Sequence, residues 1–273
     1  MKPPAFEYHA PESVEEVLAL LTEHGFDAKP LAGGQSLIPA MNFRIARPAV
    51  LVDLNRIGEL AGIRAEEPED GAGTGGPGLA IGAMTRQRAV ERSPLVAERA
   101  PLVAETLPHV AHPQIRNRGT FGGSAVHADP AAEIPALLLA LDATCRVRGP
   151  SGERSIPAGE FFLGLFATAL APDELLIDIR LPGRRPHTGC AFREIARRCG
   201  DYALAGVAAL LTLAEEGTVQ RARLACLGVG GSPLLARAAA AALEGAVPTE
   251  AAIAEAARVA AAEDIEPLDD MHA

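Results

Sequence analysis

The chain has no tryptophan and only two tyrosines, Tyr8 and Tyr202. Its four cysteines, Cys145, Cys190, Cys199 and Cys226, form no Cys-x-x-Cys pair and show none of the spacing that iron–sulfur clusters or structural zinc require. No metal cluster is therefore expected on this chain, and the cysteines read as small buried hydrophobes of a reducing compartment. Met1 to Ala10 lacks the apolar core of a signal peptide or membrane anchor, so a cytoplasmic location is expected. Positive charge is also in short supply. With 35 acidic against 25 basic residues the net charge is -10, which argues against non-specific binding to nucleic acid or anionic lipid. Internal repeats and coiled-coil heptads are absent. His109 and His112 lack the glutamate of the zinc protease motif and, with His127, read as polar loop histidines. Ser124 lacks the Gly-x-Ser-x-Gly elbow of a hydrolase nucleophile.

What remains is an ordinary globular composition, 48% hydrophobic and 22% charged over 273 residues, and two short glycine segments. The first is Ala32-Gly33-Gly34-Gln35-Ser36 and the second Gly119-Thr120-Phe121-Gly122-Gly123-Ser124. Paired glycines remove Cβ atoms, so successive N–H groups can converge on an anion, and Ser or Thr adds a hydroxyl donor. Either segment alone is compatible with a plain tight turn. Together they suggest a clamp for a diphosphate, aided by the basic cluster Arg116-Asn117-Arg118. Asp129 would be repelled by a phosphate, so its expected task is to accept hydrogen bonds from sugar or ribityl hydroxyls farther along an extended nucleotide. Gly71, Gly73 and Gly76 fit Gly-x-Gly-x-x-Gly, yet acidic residues precede them and Pro77 follows. The strand and helix of a Rossmann fingerprint are missing, so this segment reads as an exposed hairpin loop.

Along the chain, Phe6 and Tyr8 alternate like a short strand, and Ser13 with Glu16 has capping-box spacing before the apolar stripe Val14, Val17, Leu18, Leu21. Strands near 29–32 and 50–54 complete a β-α-β unit. Helices are expected over 85–92 and 94–106, and an irregular polar stretch over 108–130, long enough to suggest function. An apolar helix over 131–141, a hairpin around Gly149-Pro150-Ser151-Gly152 and a strand over 175–181 follow. The linker 182–188 marks the expected boundary, beyond which strands near 191–196, 203–213 and 221–229 and two alanine-rich helices suggest an α+β unit.

The motifs Ala32 to Pro39, Gln114 to Ser124, His127-Ala128-Asp129-Pro130 and Gly200-Asp201-Tyr202-Ala203-Leu204 occur in one order. With Phe6-Glu7-Tyr8 and Gly228 to Pro233, the chain resembles, over essentially its whole length, the FAD-binding medium subunit of the molybdenum hydroxylases of carbon monoxide dehydrogenase and xanthine dehydrogenase type. The resemblance implies an α+β fold. A two-part FAD-binding domain of the vanillyl-alcohol oxidase type over 1–182, with parts of about 1–56 and 57–182, would precede a small C-terminal domain over 183–273. It implies non-covalent FAD, a small partner subunit with [2Fe–2S] clusters and a large molybdopterin subunit, together a dimer of heterotrimers. The chain would pass electrons from the clusters to an external acceptor, a task that suits flavin because it accepts electrons singly and releases them as a pair.

By the same resemblance, Ala32, Gly33, Gly34, Gln35 and Ser36, with Thr120, Phe121, Gly122, Gly123 and Ser124, would hold the pyrophosphate, and Asp129 would bond cofactor hydroxyls. Tyr202 would lie against the isoalloxazine ring, Leu175 would border the pocket, and Arg193 stands where relatives often have lysine. Phe121 replaces an aliphatic residue and would alter packing beside the flavin. Asp269 to Ala273 resembles the start of the family's final segment, without its closing helix. Two other classes are a self-sufficient flavin oxidase or dehydrogenase, for which no base or substrate pocket is evident, and a cofactor-free assembly subunit.

Overall fold

A computed structural model describes residues 2–67 and 76–267; the glycine decoy, save Gly76, and the final segment from 268 lie outside the described residues. Strand β1 (Glu7–His9) leads to helix α1 (Val14–His24), where the Ser13 hydroxyl accepts from Glu16 N and Glu16 Oε2 reaches back to Glu12 N. Val14, Val17, Leu18 and Leu21 are buried, as their spacing predicts. β2 (Ala28–Leu31) runs into the first glycine segment, which hands the chain to α2 (Leu37–Asn42); β3 (Val50–Asp53) then closes a parallel sheet of order β1-β3-β2.

The next layer is a five-stranded antiparallel sheet. β4 (Ile63–Glu66) and β5 (Gly78–Gly82) are followed by α3 (Gln87–Glu91), α4 (Pro94–Arg99) and α5 (Pro101–Thr106). The single helix expected over 94–106 is broken at Ala100, φ -134° and ψ 63°, because a residue before proline is driven out of the helical region. The stretch expected to be irregular holds α6 (Pro113–Arg116) and α7 (Phe121–His127), so the second glycine pair is helical rather than a loop. Glycine's poor helix propensity hides this, and Thr120 compensates by capping Gly123 N at 3.0 Å.

α8 (Glu133–Ala140) is buried along its full length. β6 (Thr144–Gly149) and β7 (Gly152–Pro157) form the expected hairpin, and α9 (Ala158–Phe161), β8 (Phe162–Gly164) and β9 (Ala167–Thr168) lead to β10 (Leu175–Leu181). The sheet order is β4-β5-β10-β6-β7. Asp178 at its centre is bound by Arg146 of the adjacent β6 and by Arg64, which reaches across β5 from β4, with N···O distances of 2.5 and 3.0 Å. Removing either partner would leave a buried carboxylate under-compensated.

The last layer is antiparallel: β11 (Thr188–Ala196), β12 (Ala203–Leu213), β13 (Val219–Leu227) and β14 (Leu234–Leu235), backed by α10 (Arg237–Leu243) and α11 (Glu250–Val259). It docks on α8. Gly228 N donates to Pro130 O at 2.9 Å just before the helix, and Arg223 donates to Leu139 O and Ala140 O at its far end. The main core is continuous from Leu79 through Phe121 and Leu138 to Phe192 and Leu227.

Candidate cofactor site

The two glycine segments, some 90 residues apart in the chain, touch. An added Cβ on Gly33 would lie 2.5 Å from Arg118 O and 2.7 Å from Gly119 Cα; one on Gly123 would lie 3.4 Å from Ala32 Cβ and 2.5 Å from Thr120 Oγ1. Gly33 therefore requires glycine for the close approach of the two segments, and Gly123 for its fit against the Thr120 hydroxyl. Gly34 takes φ +70°, which turns the chain from β2 toward α2.

Their chemistry differs. Among the described residues, the N–H groups of Gly33, Gly34, Gln35 and Ser36 have no hydrogen-bond acceptor, while Gln35 Nε2 holds Gly33 O at 2.9 Å. Four half-buried donors in succession form a cradle that an anion can fill, and the residues present fit the diphosphate of a dinucleotide. The second segment is already satisfied. Phe121 N donates to Thr85 O and Gly122 N to Ala83 O, each at 2.9 Å, Gly123 N donates to Thr120 Oγ1, and Ser124 N donates to Thr120 O at 3.2 Å. The expectation of a second amide cradle is thus corrected: what this segment leaves for a ligand is the bare Cα of Gly123 and the Ser124 hydroxyl. Thr120 is buried and spends its hydroxyl on the cap. Phe121 is fully buried in the main core, so it does not pack beside a flavin.

Other expected residues separate into those that converge and those that do not. Arg116 is only 5% exposed and binds Glu91 at 2.9 Å and the carbonyls of Val110 and Ala111 at 2.7 and 3.0 Å. It folds the approach to α6 rather than catching phosphate. Leu175, 4% exposed, belongs to the core cluster that also holds Val14, Val17 and Leu18 of α1, so it has little surface to offer a ligand. Arg193 is largely exposed and pairs with Glu105 of α5 at 2.8 Å.

Asp129 and Tyr202 do converge. Asp129 Oδ1 accepts from Ala131 N at 2.9 Å in a tight turn, which fixes the carboxylate and leaves Oδ2 for a ligand. Tyr202 is 65% exposed, so it is not a core aromatic; its hydroxyl pKa is raised by burial of the hydroxyl and by the charges of Asp129 and Glu133. The turn that carries it is wedged on His112, because an added Cβ on Gly200 would sit 2.3 Å from the His112 ring.

Sequence reasoning missed the acidic group behind Tyr202. Glu133 is 7% exposed, and its pKa is pushed up to about 7, first by burial, then by Glu194 and Asp129, against its own backbone hydrogen bond and Arg116. Glu194 pairs with His109 at 3.2 Å. A glutamate opening an apolar helix reads as an ordinary first-turn charge, and nothing local signals its burial. The three histidines have separate neighbours: Glu194, the Gly200 turn and, for His127, Phe166 at 5.0 Å. Among the described residues no group of three or more His, Cys, Asp or Glu could hold a metal ion, and no helix is long and apolar enough to cross a membrane.

Comparison with known proteins agrees with this geometry. Residues 4–184 match the model of the FAD binding domain in molybdopterin dehydrogenase, and residues 190–273 that of the CO dehydrogenase flavoprotein C-terminal domain. The chain is 43% identical over 273 residues to the 6-hydroxypseudooxynicotine dehydrogenase complex subunit alpha of Paenarthrobacter nicotinovorans, covering 100% of this chain and 88% of the relative. It is 42% identical over 271 residues to the carbon monoxide dehydrogenase medium chain of Hydrogenophaga pseudoflava, covering 99% and 91%. A solved structure of carbon monoxide dehydrogenase from that organism, lacking the Mo-pyranopterin moiety of the molybdenum cofactor, superposes with a TM-score of 0.92 at 45% identity, over 99% of this chain and 91% of that one. Open amides, glycine contact and whole-chain similarity lead to one assignment: the chain belongs to the FAD-binding medium subunits of the molybdenum hydroxylase family, carries an FAD-binding domain, and is an oxidoreductase subunit.

Proposed function

We propose that this chain is the electron-transfer subunit of a molybdenum hydroxylase complex, taking electrons from [2Fe–2S] clusters on a small partner subunit and delivering them to an external acceptor. A large molybdopterin subunit hydroxylates the substrate, three chains form a heterotrimer that pairs with a second, and the complex works in the cytoplasm. The observation that carries the reading is the row of amides from Gly33 to Ser36, which among the described residues have no acceptor, in a segment that touches the second glycine segment at Gly33 and Ala32. FAD, when bound, supplies the conversion between one-electron and two-electron transfer.

The chain's own residues orient that group. The amides of 33–36, Gly123 and the Ser124 hydroxyl receive the diphosphate, Asp129 Oδ2 accepts from cofactor hydroxyls, and the exposed Tyr202 ring stacks on the isoalloxazine. Residues 1–182, in parts 1–56 and 57–182, form the FAD unit, and 183–273 supply the ring-side wall.

Acid or heat denaturation of the purified protein should release one FAD per chain into the supernatant. Reduction of that flavin by the substrate of the complex should require the iron–sulfur subunit. Flavin that stays with the precipitate, FMN in its place, or rapid bleaching of the lone subunit by substrate in a stopped-flow spectrum would each overturn the reading.

A further inference from the structure

Behind the two glycine segments, two side chains join their backbones. Asn55, two residues past β3, donates through Nδ2 to Ala32 O at 3.0 Å and to Asp53 Oδ1, and accepts at Oδ1 from Arg86 Nη2 at 2.6 Å. Both amide donors and the acceptor are thereby occupied, which leaves the Asn55 head group one orientation. Asp53 is itself held by Tyr8 Oη at 2.5 Å and by Asn55 N at 2.9 Å. The other arm of the Arg86 guanidinium, Nη1, donates to Arg118 O. Arg118 O is the atom that an added Cβ on Gly33 would strike. One chain of hydrogen bonds therefore runs from the carbonyl that opens the first segment to the carbonyl just before the second.

The two carbonyls are the groups an anion must not meet. Each peptide presents its N–H on one side and its C=O on the other, so engaging Ala32 O on Asn55 points the Gly33 N–H the opposite way, and engaging Arg118 O on Arg86 spends that partial negative charge within the protein. We infer that Asn55 and Arg86 act as a strut that sets the separation of the two glycine segments and holds Ala32 O and Arg118 O away from a bound diphosphate. They are positioning residues, since each acts through the backbone and not by touching the ligand. The forked guanidinium matters because it spans an amide oxygen and a carbonyl at once, which a lysine ammonium on a single stem does less well.

The inference rests on the FAD reading, and the test separates the two. FAD is removed from the purified complex and added back to wild type and to Arg86→Met, Arg86→Lys, Asn55→Ala and the Arg86→Met/Asn55→Ala double variant. Flavin fluorescence reports affinity, the thermal midpoint of the FAD-free protein reports fold, and the ³¹P spectrum of bound FAD reports the diphosphate setting. Wild type that takes up no FAD sinks the cofactor reading itself. If wild type binds, Arg86→Met and Asn55→Ala should each weaken binding by about tenfold or more with displaced ³¹P resonances, and Arg86→Lys should recover part of the loss. The double variant should lose no more than the worse single one, because both substitutions break one device. Unchanged affinity, additive losses, or residual bound FAD with wild-type ³¹P shifts would overturn the strut. Should Arg86→Met or Asn55→Ala fail to fold, Asn55→Asp decides. It keeps shape and the Arg86 acceptor but sets a carboxylate oxygen against Ala32 O, so displaced ³¹P shifts support the strut and unchanged shifts refute it.

Discussion

The two glycine segments look alike in sequence and do opposite things. In the first, four consecutive N–H groups lack acceptors; in the second, Phe121, Gly122, Gly123 and Ser124 have all found one inside the protein. Glycine serves close backbone packing in both, Gly33 against Arg118 O and Gly119 Cα and Gly122 against Ala83, where an added Cβ would sit 2.6 Å away. A glycine pair therefore states only that something comes close. What a segment leaves over for a ligand is decided by where the amides go.

The sharpest way to break this contrast is a pair of substitutions. Gly33→Val should force the segments apart, since Arg118 O and Gly119 Cα leave no room, and should weaken FAD retention by about a hundredfold, near 3 kcal/mol. Gly122→Ala should instead cost about 1–3 kcal/mol of folding stability, with each folded molecule still holding FAD. Flavin-to-protein absorbance ratios beside thermal midpoints check both, and a reversed pattern would invert the roles assigned to the segments.

The structural character of the second segment extends into α8, so a change there should register in stability and its pH dependence. Glu133 has a folded pKa of about 7 against an ordinary 4.5. Below 4.5 both folded and unfolded chains hold the proton and nothing is lost. Between 4.5 and 7 the unfolded chain ionises first, so stability falls as pH rises, and above 7 the penalty is complete, at most about 3 kcal/mol. Glu133→Gln cannot ionise, so its advantage over wild type should grow from nil near pH 4 to about that figure near pH 8. Denaturant titrations that give the same difference at both pH values would contradict it.

The smallest change in folding is expected at Tyr202. Because its ring is exposed, Tyr202→Ala should alter stability by less than about 0.5 kcal/mol while shifting the flavin absorbance band and reduction potential. An unchanged spectrum with a lowered thermal midpoint would return Tyr202 to mere packing.

Much of the scaffold was legible because it is local. The capping box at Ser13, the apolar stripe of α1, the hairpin at Pro150 and the alanine-rich helices all declare themselves within a few residues. What escaped was set across distance. α7 is helical because amides at 121 and 122 are taken by carbonyls at 85 and 83, a pairing no glycine propensity forecasts. Arg116 looked like a phosphate ligand by its neighbours in sequence, yet Glu91 and two loop carbonyls claim it in space. Asn55 and Arg86, 31 positions apart, belong to no motif.

The way the last sheet grips α8 has a mechanical consequence. Gly228 holds the chain just ahead of the helix, and Arg223 holds the carbonyls at its end, so the C-terminal layer is riveted at both ends of a buried rod. The same layer also meets α5, where Phe192 N donates to Glu105 at 3.2 Å, so its attachment does not rest on the connector at 182–187 alone. Asp129 stands just ahead of α8 and Tyr202 belongs to the riveted layer, so the two residues proposed to meet the cofactor are tied together through one helix. Swinging the C-terminal layer away from Asp129 would have to break the ties at both ends of α8.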